Sequence, residues 1–408
     1  MRIVVALDSF KHSLTAIQAC DVAAAALRAV APGANVTTKP MADGGEGTAA
    51  VLMAAAGGQW ISRTVMGPLP EMEVEAGFVW LPNPTEAGIA DQEEPSHPIR
   101  NHQSAIRNHK DAALVEMATA SGLPLLRPEQ RDPLKTTTFG TGQLMRAAFD
   151  QGTGRILLAI GGSATVDGGV GAAMALGWRF LTEDGREIGF GGGQLSRIAK
   201  IVPPEQGIGT TVEVLCDVDN PLCGDHGAAR VYGPQKGATP EMVEELDAGL
   251  GHLASLVREQ LGRDIAELPG AGAAGGLAAG AVAFMNARLV SGVEAVMEQT
   301  RLREAIAGAD WVITGEGCFD EQSLRGKVVS GIIRMARAAH TRVAVLAGQV
   351  LLPPEKYRSA GVETALPCME TGMTLDYAIA HGAELLDRAA HRCWREHLAT
   401  EPPKDDRP

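Results

Sequence analysis

The stretch RILLAIGGSATVDGGVGAAMALGW, residues 155–178, decides the fold class of this chain. Residues 156–160 form a continuous apolar run of the length that a fully buried strand needs. Residues 161–165 let the backbone turn and carry two hydroxyls, and residues 170–176 predict a buried helix. A strand, a glycine-rich loop and a helix N-terminus bring several N–H groups together, which suits an anion; a tight turn that uses glycine only for packing fits the same pattern.

The composition is that of a globular protein of two or three domains. The chain has 408 residues, 45% of them hydrophobic and 21% charged, and its 49 glycines fall in clusters. Its length allows cores of ordinary size.

The formal net charge of −13 argues against nucleic acid as a partner, because a phosphate backbone needs a basic face. The six cysteines are scattered and indicate neither a zinc site nor a disulfide framework. Because the chain starts without a signal-peptide pattern and contains no apolar run of membrane-spanning length, we expect a cytoplasmic protein with no membrane partner.

The strand–loop–helix pattern begins at the first residues of the chain. Residues 2–7 predict a buried strand that runs into Asp8, Ser9 and Lys11, and Ser13 is the predicted N-cap of a helix over residues 14–30. In open α/β sheets the carboxyl edge is where ligands bind. Asp8 and Ser9 fit either such a ligand site or a simple role as caps of the turn.

Further predicted strands also end in acids. Residues 36–39 predict a strand that is followed by Asp43 beside a glycine pair, residues 212–217 one that ends at Asp217, and residues 310–317 one that contains Glu316. Residues 59–81 predict short β segments that depart from the first domain. Other strands are predicted over residues 342–347 and 362–366, and helices over residues 48–56, 115–119, 143–150, 241–260, 328–339 and 375–397.

Hydroxyls, lysines and glycines occupy the loops between these elements. The threonines of residues 136–138 precede a helix, where they can bind a phosphate or cap the helix. Lys236 and Lys327 lie in glycine-flanked turns, as Lys11 lies after the first strand. Residues 270–275 match G-x-G-x-x-G without a clear preceding strand, so Gly272 fits a phosphate site and close packing equally well.

Two segments fall outside the pattern. Residues 82–110 are polar, contain the four residues IRNH twice at a seven-residue spacing, and predict a flexible, solvated insertion. Histidine is a residue type that binds metals, but the histidines of this segment, seen in their sequence context, do not favour a metal site. Residues 401–408 predict a polar tail without a role.

Acids at strand ends, lysines and glycine-rich loops together favour phosphoryl transfer. Carboxylates can hold Mg²⁺ or take the proton of an attacking hydroxyl. Lysines and glycine N–H groups can neutralise the charge of the transferred group. The sequence contains neither a Walker A motif nor protein-kinase signatures, so the residues alone predict an enzyme that handles phosphate by another route.

Seven sequence blocks resemble, in order, the bacterial type of the glycerate kinase family. They are DSFKHSLTA at residue 8, MADGGEGT at 41, GGSATVDGG at 161, CDVDNPLCG at 216, YGPQKGA at 232, PGAGAAGGL at 269 and ITGEGCFDEQSLRGK at 313. Val166 stands where the family more often has asparagine, and Cys318 where it usually has arginine. If that arginine contacts phosphate, the affinity of this chain for ATP or product would differ.

The resemblance implies an α/β fold of two domains. One would be flavodoxin-like and discontinuous, built from residues 1–72 and 291–400, and the other, an α/β domain over residues 73–290, would be inserted into it. The resemblance also implies transfer of the γ-phosphate of ATP to D-glycerate, with 2-phosphoglycerate as the usual product. We therefore expect ATP and Mg²⁺ as cofactors, glycerate as the substrate, and a monomer or homodimer. The alternatives are a kinase of another small hydroxyacid and a non-catalytic regulator that binds sugar acids.

The residues and the resemblance together give the expected site. Asp217 or Asp320 would be the base or a metal ligand, and Lys11 and Lys327 would bind the glycerate carboxylate or phosphate. The expected catalytic residues are Asp217, Asp320, Lys327, Asp43 and Asp167. The expected substrate- or phosphate-binding residues are Asp8, Ser9, Lys11, Gly161, Gly162, Ser163, Thr165, Lys236 and Gly272, and Glu316 is the expected ligand of the Mg²⁺ that accompanies ATP.

Overall fold

The structure, a computed structural model, describes residues 1–45, 47–81, 111–207, 209–325 and 327–399. The predicted insertion over residues 82–110 and the predicted tail over residues 401–408 lie outside the described residues.

Strands and helices alternate along most of the described chain. The strands are β1 (Arg2–Leu7), β2 (Asn35–Thr38), β3 (Gln59–Met66), β4 (Glu73–Leu81), β5 (Ala112–Glu116), β6 (Arg155–Ala159), β7 (Arg179–Leu181), β8 (Lys200–Val202), β9 (Thr211–Leu215), β10 (Arg288–Val290), β11 (Trp311–Gly315), β12 (Cys318–Phe319), β13 (Arg342–Ala347), β14 (Gln349–Val350) and β15 (Thr364–Pro367). The helices are α1 (Ala16–Val30), α2 (Thr48–Ala56), α3 (Ala118–Ser121), α4 (Phe139–Asp150), α5 (Val170–Ala175), α6 (Ala228–Tyr232), α7 (Pro240–Leu261), α8 (Leu277–Met285), α9 (Gly292–Gln299), α10 (Leu302–Ala307), α11 (Val328–Ala338), α12 (Pro354–Ala360), α13 (Leu375–Ala380) and α14 (Gly382–Cys393).

The chain divides into two compact units. The first contains Met1–Ala55 and the part of the chain that follows Val290, and the second is Ala56–Val290. The first boundary lies before β3, whereas the sequence places it at residue 72. The reason is that β3 pairs along its whole length with β4, from Gln59↔Trp80 to Met66↔Glu73, and so belongs to the sheet of the second unit.

The first unit is built on a five-stranded parallel sheet in the order β2-β1-β11-β13-β15. In sequence order of these strands this is 2-1-3-4-5, the flavodoxin-like order. The strand β1 is buried from Ile3 to Leu7 and lies between β2 and β11, which explains its continuous apolar sequence. Helices α1 and α14 pack on each other beside this sheet.

Two helix boundaries in the first unit differ from the sequence expectation. The N-cap of α1 is Thr15, whose hydroxyl accepts from the Gln18 N–H at 3.2 Å, and Gln18 completes the capping box. The predicted cap Ser13 instead donates its hydroxyl to the Ile379 carbonyl at 2.8 Å. The prediction of a single helix over residues 375–397 is also wrong, because the helix is interrupted at His381, between α13 and α14.

The second unit is built on a six-stranded mixed sheet in the order β3-β4-β5-β6-β9-β10. The predicted strand at residues 156–160 is confirmed as β6, which lies in the interior of the sheet with parallel neighbours on both sides. The helix predicted over residues 115–119 is wrong: Ala112–Glu116 forms β5, and only the four-residue helix α3 follows. A short apolar run fits a buried strand and a buried helix equally, and here both neighbouring strands pair with it.

The loop after β6 is packed closely against the glycine-rich segment before α8. A Cβ atom at Gly275 would lie 1.9 Å from the Thr165 carbonyl oxygen, and Gly275 has φ +65°. Only glycine satisfies both conditions. The carbonyl of Gly275 also accepts from the Gly168 N–H at 3.1 Å. The two loops are therefore held together by close packing and by a backbone hydrogen bond.

Within the described part of the chain, no helix combines the length and apolar character that crossing a membrane requires.

Candidate functional site

The acids of the first unit lie where strands of its sheet end. Asp8 directly follows β1, and Glu316 directly follows β11, the parallel neighbour of β1. The Asp8 N–H donates to the Gly315 carbonyl at 2.9 Å, which continues the pairing of the two strands to the point where the acids begin. A Cβ atom at Gly315 would lie 1.7 Å from the Leu346 carbonyl oxygen, so this end of β11 requires glycine.

Asp8 is a half-buried carboxyl among other acids. Burial raises the pKa of Asp8 to about 7, and the neighbouring Asp43 and Glu316 act in the same direction. The Ser9 N–H, which donates to Asp8 Oδ1 at 2.6 Å, and Lys11 offset part of this increase. A carboxyl with a pKa near neutral pH has the property that favours general acid–base catalysis.

Glu316 is the second perturbed acid of this edge. Burial raises the pKa of Glu316, and Asp320 and Asp43 add to the effect, while the Ser323 hydroxyl and Lys327 lower it. Its Oε1 atom is buried and has no hydrogen-bond partner among the described residues. A buried carboxylate oxygen without a donor points to a cation or a ligand donor as its natural partner.

Asp320 has a local structural role. Its Oδ1 accepts from the N–H groups of Gln322 and Ser323 at 2.8 and 3.2 Å and thereby caps the short 3₁₀ turn Gln322–Leu324. This geometry explains the acid at this position without catalysis. Lys327 lies immediately after this loop, at the N-cap of α11, and its side chain is exposed, as is that of Lys11.

Asp43 lies in the loop after β2. Its Oδ1 accepts from the Gly45 N–H at 3.0 Å, and the side chain is exposed. The first residue of α9 packs on this loop, since a Cβ at Gly292 would lie 2.2 Å from the Asp43 carbonyl oxygen. The first unit thus brings together four acids and two lysines from its strand ends: Asp8, Asp43, Glu316, Asp320, Lys11 and Lys327.

In the second unit, Asp167 is a buried anchor between two loops. It is 1% exposed, and its Oδ2 accepts from the Thr138 N–H at 2.8 Å and from the Thr138 hydroxyl at 2.9 Å. The N–H groups of Gly169 and Gly171 and the hydroxyl of Thr137 also donate to this carboxyl. Burial raises the pKa of Asp167, and the hydrogen bonds counteract this. Its oxygens accept from five donors, an arrangement that suits a residue holding two loops together, and the expected catalytic role of Asp167 stays a prediction.

Lys236 is buried beneath the loop that follows β6. It is 2% exposed, and its Nζ donates to the Ser163 Oγ at 2.7 Å and to the Thr165 carbonyl at 2.8 Å. Burial lowers the pKa of Lys236 to about 7, and the nearby Asp167 partly offsets this. The Thr165 Oγ1 atom is buried without a hydrogen-bond partner among the described residues.

The remaining expected residues are placed as follows. Gly161 and Gly162 lie in the turn after β6, where the Gly162 carbonyl accepts from the Leu123 N–H at 2.8 Å. The Gly272 N–H donates to the Asn220 carbonyl at 3.0 Å, and a Cβ there would lie 2.2 Å from the Pro221 carbonyl oxygen. The Gly272 amide thus already has a backbone acceptor and Gly272 is closely packed, and its expected phosphate-binding role stays a prediction. Asp217 follows β9 and is exposed.

The structure also assigns residues that the sequence prediction left open or missed. Thr138 is the partner that holds Asp167, so the threonine cluster serves to join two loops. Ser323 was missed, although it follows Asp320 by three residues as the donor of a capped turn does. Val166 is fully buried in the core, where it belongs to the packing of the second unit.

The described strand ends of the first unit carry carboxylates as candidate metal ligands. Among the described residues, no three His, Cys, Asp or Glu side chains converge on a position for a metal ion. The oxygen atoms of Glu316 and its neighbours have the chemistry that Mg²⁺ prefers.

These observations define an α/β protein. One sheet edge of its first unit carries lysines and acids, two of which have a raised pKa, and in its second unit a loop of glycines and hydroxyl side chains contacts a buried lysine. The glycerate kinase family model matches residues 3–398. A glycerate kinase of Halalkalibacterium halodurans is 43% identical over 393 residues, which cover 95% of this chain and 96% of that protein. The glycerate 2-kinase of Escherichia coli K12 is 38% identical over 394 residues, which cover 96% of each chain.

A solved structure agrees with the sequence relatives. The crystal structure of a protein provisionally named glycerate kinase 2 from Salmonella typhimurium LT2 has a TM-score of 0.81 at 37% identity and covers 98% of this chain and 99% of its own. The chain therefore belongs to the glycerate kinase family. It is a phosphotransferase of the class that uses an alcohol group as acceptor, and the α/β fold class and the resemblance stated from the sequence are confirmed.

Proposed function

We propose that this enzyme transfers the γ-phosphoryl group of ATP to a hydroxyl of D-glycerate and forms 2-phosphoglycerate. The similarity to named glycerate kinases over nearly the whole chain supports the reaction. The structural observation that carries the proposal is the acidic edge of the first unit, where Asp8 has a pKa of about 7 beside Lys11. A carboxylate that accepts a proton at neutral pH and a nearby cation are what hydroxyl phosphorylation needs.

We assign the role of general base to Asp8. Its carboxylate would accept the proton of the attacking glycerate hydroxyl as the new O–P bond forms. Asp320 is a weaker candidate because its Oδ1 caps a turn. We keep Asp217, which the sequence offers as base or metal ligand, as a further proposed candidate; its side chain is exposed two residues beyond the end of β9.

Lys11 and Lys327 would supply positive charge to the substrates. Both are exposed, and both lower the pKa of a neighbouring acid, Lys11 that of Asp8 and Lys327 that of Glu316. An ammonium group can bind the glycerate carboxylate or a phosphoryl oxygen as a point charge. Ser9 and Asp43 belong to the same edge and would orient the acceptor.

ATP and Mg²⁺ complete the proposed chemistry. Mg²⁺ would neutralise charge on the phosphates, and Glu316, whose buried Oε1 lacks a partner among the described residues, would hold it. In the second unit, residues 161–165 would cradle phosphate through Gly161, Gly162, Ser163 and Thr165. We also propose that the enzyme works in the cytoplasm, where ATP is supplied, as a monomer or homodimer.

A product analysis tests the reaction. Purified enzyme is incubated with ATP and Mg²⁺ and with D-glycerate, tartronate or hydroxypyruvate in turn, and the phosphorylated products are identified by phosphorus NMR. The proposal predicts the highest kcat/KM with D-glycerate and a resonance of 2-phosphoglycerate. Preference for another acid would instead identify a kinase of another hydroxyacid, and binding of glycerate without ATP turnover would indicate a regulator.

A further inference from the structure

The Lys236 ammonium fixes the orientation of the Ser163 hydroxyl. Burial lowers the pKa of Lys236 to about 7, so its ammonium form predominates below neutral pH, and that form carries three donors and no acceptor. In the 2.7 Å contact between Lys236 Nζ and Ser163 Oγ, the hydroxyl oxygen must therefore accept, and the hydroxyl hydrogen must point away from the lysine. Ser163 is 9% exposed and lies in the loop that directly follows β6.

The hydroxyl hydrogen of Ser163 has no acceptor among the residues that the structure describes. The adjacent Thr165 hydroxyl is buried and also unpartnered there, while its carbonyl is held by Lys236. One short loop thus presents two hydroxyl groups whose hydrogen-bonding capacity is not satisfied within the described chain. Buried or nearly buried hydroxyls in this condition indicate an acceptor outside the described residues, such as a water molecule or a ligand.

Lys236 itself is too enclosed to serve as an ordinary phosphate ligand. It is 2% exposed, and its two observed hydrogen bonds run to Ser163 and to the Thr165 carbonyl. The Asp167 carboxyl lies near it and is itself surrounded by donors from residues 137, 138, 169 and 171. The lysine thus belongs to the buried support of the loop.

We propose that Lys236 is a positioning residue that acts through Ser163, turning the Ser163 hydroxyl into a donor for a phosphoryl oxygen of the bound ligand. This inference rests on the proposed kinase function and deepens it by separating the residue that contacts phosphate from the residue that orients it. The phosphoryl oxygen can belong to the nucleotide or to the phosphorylated product, so both are used as probes.

A double-mutant cycle tests this dependence. Ser163→Ala, Lys236→Met and the double variant are titrated by calorimetry with a non-hydrolysable ATP analogue and, separately, with 2-phosphoglycerate. Each single variant should lower the affinity for one of the two probes by about 10-fold, which is the loss expected for one hydrogen bond to a charged group. The double variant should be no weaker than the weaker single variant, because both changes remove the same contact.

Lys200→Met is the matched control, since this lysine of the second unit is exposed on β8 and should leave both affinities unchanged. Thermal unfolding of every variant checks that the fold is retained, and Lys236→Gln replaces Lys236→Met in the cycle if the latter does not fold. Multiplicative losses in the double variant would overturn the inference, because they would mean that Lys236 contacts the ligand by itself. Unchanged affinity of Ser163→Ala for both probes would also overturn it. Failure of the wild-type enzyme to phosphorylate D-glycerate would refute the proposed function instead, whatever the cycle shows.

Discussion

Asp8→Asn should stabilise the protein while it inactivates the enzyme. Burial and the neighbouring acids raise the pKa of Asp8 from 3.8 to about 7 in the folded protein. The native state therefore binds this proton more tightly than the unfolded chain does. Wild-type stability should fall as the pH rises from about 4 to about 7 and should then stay constant. The asparagine side chain carries no charge but is polar and nearly the same size as the aspartate side chain.

The magnitude follows from the difference between the two pKa values. About three pKa units at about 1.4 kcal/mol each set an upper limit of about 4 kcal/mol above neutral pH. Because the amide is also a buried polar group, we expect a gain of about 1–3 kcal/mol for Asp8→Asn. For a chain of this size such a gain raises the melting temperature by roughly 1–4 °C.

Thermal unfolding followed by circular dichroism between about pH 5 and about pH 8 measures this gain. The difference in melting temperature between Asp8→Asn and wild type should grow up to about pH 7 and level off above it. Asp21→Asn is the control, since Asp21 is an exposed acid of α1 whose replacement should change little at any pH. A difference that is independent of pH, or a variant less stable than wild type at pH 8, would refute the electrostatic reasoning.

Three further predictions follow from the described contacts. Deletion of residues 83–108 should leave kcat and the melting temperature nearly unchanged, because Leu81 and Ala112 are partners in an antiparallel ladder and a short turn can join them; loss of folded protein would show that the segment packs on the enzyme. Asp167→Asn should lower the free energy of unfolding by about 1–3 kcal/mol in chemical denaturation, because the amide nitrogen would face an N–H group that now donates to the carboxyl. An unchanged free energy of unfolding would contradict the role of Asp167 in holding the two loops together. Lys327→Ala should raise the KM for ATP or glycerate by about 10-fold with little change in kcat, and a loss confined to kcat would contradict its proposed binding role.

The sequence predicts the elements whose apolar runs are complete. The strand at residues 2–7 and the strand at residues 342–347 are found at the predicted bounds, because each is buried between parallel neighbours. Residues 112–116 could not be assigned in the same way. Their run of five residues fits helix and strand alike, and pairing with strands that lie far apart in the sequence decides between them.

The sequence indicates which residue types meet at the candidate site but not the surroundings of each side chain. Asp8 is recognisable as an acid at a strand end, yet its pKa is raised first by burial and then by Asp43 and Glu316, and only the folded arrangement of the strands supplies these causes. Lys236 lies in a glycine-flanked turn that suggests exposure, and its burial results from packing against the loop after β6. The bond between Thr138 and Asp167 likewise joins two loops whose contact no local pattern indicates.

The pH dependence of turnover tests the central claim that Asp8 is the general base. With saturating ATP, Mg²⁺ and D-glycerate, wild-type kcat should rise with pH through an apparent pKa near 7, the value of Asp8. Asp8→Asn should lower kcat by about 10²–10⁴-fold and abolish this rise, with its Mg²⁺ requirement unchanged. Near-normal turnover in Asp8→Asn, or a rise that persists there but disappears in Asp217→Asn or Asp320→Asn, would contradict the claim and place the base at that other acid.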